Sequence, residues 1–336
     1  MSRLRLSLSC PSYDRTEALR TGEVQPEGLE LSYVTMPPAD AHARMLKYQE
    51  FDASDMSMSF YLMGKLSGKT PFTAIPVFPM RRFFHSEVIV NVDSGIKTPS
   101  DLKGKRIGVQ EYGMTLALWL RGILEHEFRV TPPEVEWYVE RNPGEKVGDS
   151  IGFKAPPDVR INQLKPETDL MTSIENHEID AAFPYPKIWK THRDRSNSTG
   201  GVGQRKTRPL FADPKQESIR YYRKTGFFPI NHVIVIKDEI LKENPWVALS
   251  LYEAFLKAKE ISYAKVEAKL REPTNYVWLD DLVNEVREIF GADPYPYGLK
   301  ENENILDAIA TYSNEQGLTP RKAVLNDLFF YTTLDL

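Results

Sequence analysis

Short runs of β-branched and other apolar residues recur along this chain, and the stretches between them carry apolar residues every three to four positions. The runs read as strands over 3–9, 29–34, 53–57, 87–92, 106–110, 135–138, 181–183 and 232–236. Between them, "GMTLALWLRGILEHEF" sets Leu116, Trp119, Leu120, Ile123, Leu124 and Phe128 along one helical stripe. A second helix opens at Asn244 as N-cap with Pro245 in its first position, and "LDDLVNEVREIF" closes at Gly291. Strands joined through helices need crossover connections, so the pattern predicts an α/β fold with parallel sheet. At 336 residues the chain is too long for one ordinary core and predicts two domains.

An internal echo says how the two are joined. "RRFFHSEVIV" at 81–90 is matched by "TGFFPINHVIV" at 225–235: a Phe pair, then a histidine, then a β-branched strand. No fixed period accompanies it, which excludes a solenoid. Two similar strands linking two lobes account for it. The expected lobes are 1–91 plus 226–336, and 92–225, with a ligand cleft between them.

Composition removes several function classes. The net charge of −4 offers no general attraction to nucleic acid. No apolar run approaches the ~20 residues of a membrane span, so no membrane partner is expected. Cys10 is the only cysteine, which rules out an internal disulfide and a cysteine-built metal site. No H-x-x-x-H, H-x-H or clustered carboxylate motif appears, so no metal is expected, and no serine lies in G-x-S-x-G. "GGVG" at 200–203 lacks a preceding strand and reads as a surface loop. The N-terminus lacks the ~7–15-residue apolar core of a secretory signal, and the expected compartment is cytoplasmic.

Two stretches, "SGIKTPSDLKGKRIGV" and "SIENHEIDAAF", resemble the entry and closing segments of the second domain in type II periplasmic-binding-protein folds. A finer resemblance runs nearly end to end, to the 4,5-dihydroxyphthalate decarboxylase family. It is carried by "CPSYDRTEALRTGEVQPEGLEL", "PVFPMRRFFHSEVIVN", "EYGMTLALWLRGILEHEFRV", "YYRKTGFFPINHVIVI", "NPWVALSLYEAFLKAKE" and "EQGL". The chain keeps that family's Phe78, Pro79, Arg81, Phe83, His85 and Ser86, and has Met80 and Phe84 where Ser and Arg are usual. The resemblance implies cofactor-independent conversion of 4,5-dihydroxyphthalate, or a related aromatic acid, to 3,4-dihydroxybenzoate plus CO2. A non-catalytic binding protein or sensor for an aromatic carboxylate is the alternative. The implied partner is a small aromatic carboxylate, with homo-oligomer formation left open.

Chemistry states what such a site needs. Each carboxylate of 4,5-dihydroxyphthalate lies para to a hydroxyl, so losing one as CO2 takes a proton onto the ring carbon and electron push from the para oxygen. Fixed cations must hold the carboxylate, an acid must reach the carbon, and an acceptor must take the phenolic proton. Arg81, His85 and His232 are the expected catalytic set, with His85 as acid and His232 as acceptor. Arg82 reads as solvated. In this fold class ligands sit at the C-terminal ends of strands. That places Ser12, Tyr13 and Arg15 after the first strand, Ser57 and Ser59 after the third, and Gly113, Met114 and Thr115 at a helix N-terminus. Phe228 is expected to stack on the ring. His42, His126, His177 and His192 lie among charged residues and are expected on the surface.

Overall fold

A computed structural model describes residues 3–183, 191, 193–197, 206–272 and 274–336. His192 and 200–203 lie outside these described residues. The strands are β1 (Leu4–Ser9), β2 (Leu29–Val34), β3 (Ala53–Ser57), β4 (Phe72–Ile75), β5 (Ile89–Asn91), β6 (Arg106–Val109), β7 (Glu136–Val139), β8 (Arg160–Gln163), β9 (Ala181–Ala182), β10 (Thr207–Pro209) and β11 (His232–Lys237). They form a five-stranded sheet in the order β2-β1-β3-β11-β4 and a six-stranded sheet in the order β10-β5-β9-β6-β7-β8. The fold is α/β and two-lobed, as the sequence predicts.

The sheets are mixed rather than parallel, which corrects the sequence reading. β1 runs parallel to β2 and β3, but β11 enters between β3 and β4 antiparallel to both. β5 is likewise antiparallel to β9 and β10. The antiparallel strands are those that begin or end a passage between lobes. Having crossed once, the chain comes back in the opposite sense and adds a strand running the other way. β5 also belongs to the second sheet, so the first passage lies between β4 and β5, earlier than an edge at residue 91.

The two passages explain the echo. Residues 80–82 and 229–231 run side by side in opposite directions: Arg81 bridges Ile230, Arg82 N–H donates to Pro229 O at 3.0 Å, and Asn231 N–H donates to Met80 O at 2.9 Å. The Phe83 and Phe228 rings stack at 4.7 Å. Arg81 closes the joint, donating to Phe228 O, Pro296 O and Asn302 Oδ1.

Beyond β11, the helix Trp246–Lys269 packs on the first lobe and buries Val247, Leu251, Phe255 and Ala258. The helix Glu303–Glu315 does something different. It lies against both the first-lobe helix Met58–Leu66 and the second-lobe helix Thr115–Phe128. Gly122 faces Tyr312 so closely that a Cβ there would overlap the phenol ring, and Trp119 meets the same ring edge-on at 5.6 Å. One apolar core therefore runs through both lobes.

Candidate active site in the interlobe cleft

The cleft is assembled from strand ends. β3 is buried throughout, yet its middle residue is Asp55. A carboxylate cannot be desolvated without partners, and two imidazoles supply them. His42 Nε2 lies 2.9 Å from Asp55 Oδ1, and His232 Nδ1 lies 2.9 Å from the same oxygen. The Tyr13 hydroxyl is 3.1 Å from His232 Nδ1 and 3.3 Å from Asp55 Oδ2. Asn231 Nδ2 lies 3.0 Å from His232 Nε2. His232 reaches this position because β11 is antiparallel to β3 and starts opposite Ser57.

The electrostatics follow from burial. Burial alone would push Asp55 up, but His232 and His42 outweigh it and hold the carboxyl at about 2. Burial pulls His42 down to about 4, with Asp55 opposing. His42 is therefore neutral at physiological pH and donates its Nε2 proton to Asp55. That leaves its Nδ1 as the basic position.

The second lobe faces this cluster with a helix N-terminus and a cation. Thr115 Oγ1 lies 2.7 Å from Ser57 Oγ and accepts Ser59 N–H at 3.0 Å. Ser59 Oγ donates to Gly113 O at 2.7 Å. The helices Met58–Leu66 and Thr115–Phe128 thus begin at one point; Met58 and Ser59 N–H are taken by Asn231 O and Thr115 Oγ1, so the amides that favour an anion are those that open Thr115–Phe128. Arg141 follows β7 and is buried; it donates to Glu111 at 2.8 Å and to Asp194 at 2.6 Å. His42, Ser57, Thr115, Arg141, Asn231 and His232 line one cavity between the lobes. Its free space is about 20 Å³, room for roughly one water and not for an aromatic ring. A ring-sized ligand requires the lobes to part.

The sequence-predicted residues divide into three groups. His232, Ser57, Met114 and Thr115 line the cleft cavity, with Ser59, Gly113 and Tyr13 bonded beside it. Arg81, Arg15 and Phe228 line a separate cavity at the crossover, which Tyr13 also touches. His85 lines neither. It is buried against Glu217 at 3.1 Å, with Tyr221 and Phe211 around its ring. Glu217 holds Nε2 within the joint, while the buried Nδ1 has no hydrogen-bond partner among the described residues. Ser12 is exposed on its loop.

His42, Asp55 and Arg141 were missed. His42, expected on the surface, is buried, because the helix Pro38–Tyr48 turns Ala39, His42 and Ala43 inward. Those residues stand at i, i+3 and i+4, which was the available signal. His126 and His177 are exposed, as expected. His42, Asp55 and His232 also make a three-ligand set, whose donor atoms lie within 4.8 Å of one another. No local motif announces it, because the members come from three distant segments. The 2.9 Å separations are those of hydrogen bonds through the shared oxygen. A divalent ion would need the imidazoles to swing apart to take its own ~2.0–2.2 Å bonds.

The fold and cleft define a two-lobed binding-protein class, and residues 23–243 match the family described as the ABC transporter, phosphonate, periplasmic substrate-binding protein. Solved structures agree on the fold. The periplasmic aliphatic sulphonate binding protein SsuA from Escherichia coli superposes with a TM-score of 0.54 at 15% identity, covering 100% of both chains. The desulfurization enzyme DSZB does so at 0.51 and 13% identity, covering 99% of this chain and 98% of that one. Sequence relatives are more specific. A 4,5-dihydroxyphthalate decarboxylase from Comamonas testosteroni is 28% identical over 335 residues, 100% of this chain and 99% of that relative. One from Pseudomonas putida is 31% identical over 230 residues, 68% of this chain and 84% of that relative. The chain belongs to the 4,5-dihydroxyphthalate decarboxylase family.

Proposed function

We propose that the protein is a decarboxylase of a dihydroxylated aromatic carboxylate, with 4,5-dihydroxyphthalate as the preferred substrate and 3,4-dihydroxybenzoate plus CO2 as products. The observation that carries this reading is the pair of histidines sharing the buried Asp55 at the wall of a cleft that Arg141 and Thr115 also line. The two relatives named for this reaction support it.

The ring carboxylates sit between Arg141 and the amides that open the helix Thr115–Phe128. His42, held neutral, accepts the proton of the hydroxyl para to the departing group through Nδ1. His232, protonated on Nε2 once Asn231 Nδ2 turns away from it, delivers a proton to the ring carbon. The electrons of the breaking carbon–carbon bond return to the ring as CO2 leaves, the para oxygen recovers its proton from His42, and the proton that His232 gave to carbon is the one consumed per turnover. Asp55 stabilises each imidazolium as it forms and fixes the orientation of both rings. Closure of the lobes removes water from the departing carboxylate.

The test is to incubate the pure protein with 4,5-dihydroxyphthalate and measure CO2. Release that falls on the order of 100-fold or more in His232→Asn and His42→Gln is expected. Ligand binding without CO2 from the wild type favours the second reading, a binding protein or sensor for aromatic carboxylates. That reading draws its support from the fold shared with sulphonate-binding proteins.

A further inference from the structure

Three cations that the cleft does not use meet at the crossover. Arg15, Arg81 and Arg82 line a cavity of about 360 Å³ whose wall is the stacked pair Phe83 and Phe228. The aromatic surface continues behind Phe228 to Phe290 at 5.3 Å and Tyr295 at 5.4 Å. Arg15 lies 3.8 Å over the Tyr295 ring and donates to Pro79 O, which fixes its guanidinium at the cavity edge.

The charges here do not balance. Arg82 is paired with Glu87 at 2.6 Å, and Lys259 nearby is paired with Asp293. Arg15 has Asp14, whose side chain is 74% exposed and mostly in water. Arg81 makes no ion pair with a carboxylate among the described residues, and Asp293 acts on it only from a distance. Its NH groups go to two carbonyls and an amide oxygen, and its Nε has no partner. Burial pulls its pKa down to about 10, with Tyr297 and Asp293 resisting. A buried guanidinium of this kind is costly unless an anion approaches it.

We infer that the crossover cavity is a second ligand site, separate from the cleft, which takes an aromatic carboxylate with its acid group toward Arg15 and Arg81 and its ring against Phe228. Tyr13 and the contact between Asn231 Nδ2 and Met80 Sδ at 2.7 Å stand between the two cavities. A ligand here touches both passages of the chain at the joint, so occupancy bears on how readily the lobes part. The site does not require the cleft to be catalytic.

Calorimetric titration of the full chain with phthalate, which lacks the hydroxyls that the reaction needs, tests this. Two equivalents per chain are expected. Arg15→Ala and Phe228→Leu should each weaken one of them on the order of 10-fold or more, the scale of losing a charge-assisted pair or a stacking wall, and leave the other unchanged. Thr115→Val should weaken only that other one. Arg15→Gln, which keeps the stem over Tyr295, replaces Arg15→Ala if the latter unfolds. A single equivalent indifferent to Arg15 and Phe228 overturns the inference. So does a single equivalent weakened by all three variants, which would mean one composite site. Two equivalents without CO2 release from 4,5-dihydroxyphthalate would leave this site standing and sink the decarboxylase reading instead.

Discussion

Asp55 and Glu140 are both buried carboxylates, and their surroundings drive them in opposite directions. Asp55 keeps its charge because two imidazoles hold it. Glu140 is pushed up to about 7, first by burial and then by Asp194, although Ser196 bonds to it. Linkage gives the consequence for stability. His42 has its folded pKa depressed from 6.5 to about 4, so between those values the unfolded chain binds more protons and stability falls as pH falls. Glu140 has its folded pKa raised, so its contribution is present below its unfolded value near 4.5 and is lost as pH rises through about 7. The two slopes oppose each other in the same window, and variants separate them. His42→Gln should make the protein less sensitive to acid between pH 6.5 and 4, by roughly 1–3 kcal/mol. Glu140→Gln should stabilise it at pH 8 more than at pH 5 by a similar amount. Thermal melts of both variants across pH 4–8 check each sign. For catalysis, Asp55→Asn should cost turnover on the order of 100-fold, while His85→Ala should lower the melting temperature and keep the CO2 release rate per folded molecule within a few-fold.

At the scale of elements, the contact between the helices Thr115–Phe128 and Glu303–Glu315 has no slack. Gly122→Ala must displace the Tyr312 ring, and overpacking of this kind should lower stability by about 1–3 kcal/mol, read as a shift in the urea midpoint. The eight strand regions expected from the sequence are all present, because each carries a run of apolar or β-branched residues. β4, β8 and β10 were not read. β8 is the polar "RINQ" and β10 is the short "TRP", so their pairing comes from neighbouring strands rather than from their own composition. The strand sense was misjudged because antiparallel entry follows from where the chain re-crosses, which no local pattern encodes. The site was half legible. His232, Ser57 and Thr115 were readable from strand ends, whereas His42 sat among charged neighbours that hid its inward face. Asp55 and Arg141 drew no notice because a buried charge is visible only through partners that other segments bring.

The whole molecule has two sheets but not two independent cores. The joint is fastened by Arg81, the passages are zipped to each other, and Glu303–Glu315 rests on one cleft helix from each lobe. Opening for a ring-sized ligand must therefore slide this helix on its neighbours as well as rotate the lobes. The same arrangement governs how the protein comes apart. Two cores joined only by flexible passages would melt as separate events. Here, losing either lobe strips apolar cover from the helix that the other also uses. Differential scanning calorimetry should show one transition, with van't Hoff and calorimetric enthalpies in agreement. Removing residues 303–336, which carry the helix Glu303–Glu315, should split it in two, which makes the tail of the chain the part that turns a pair of folding units into one.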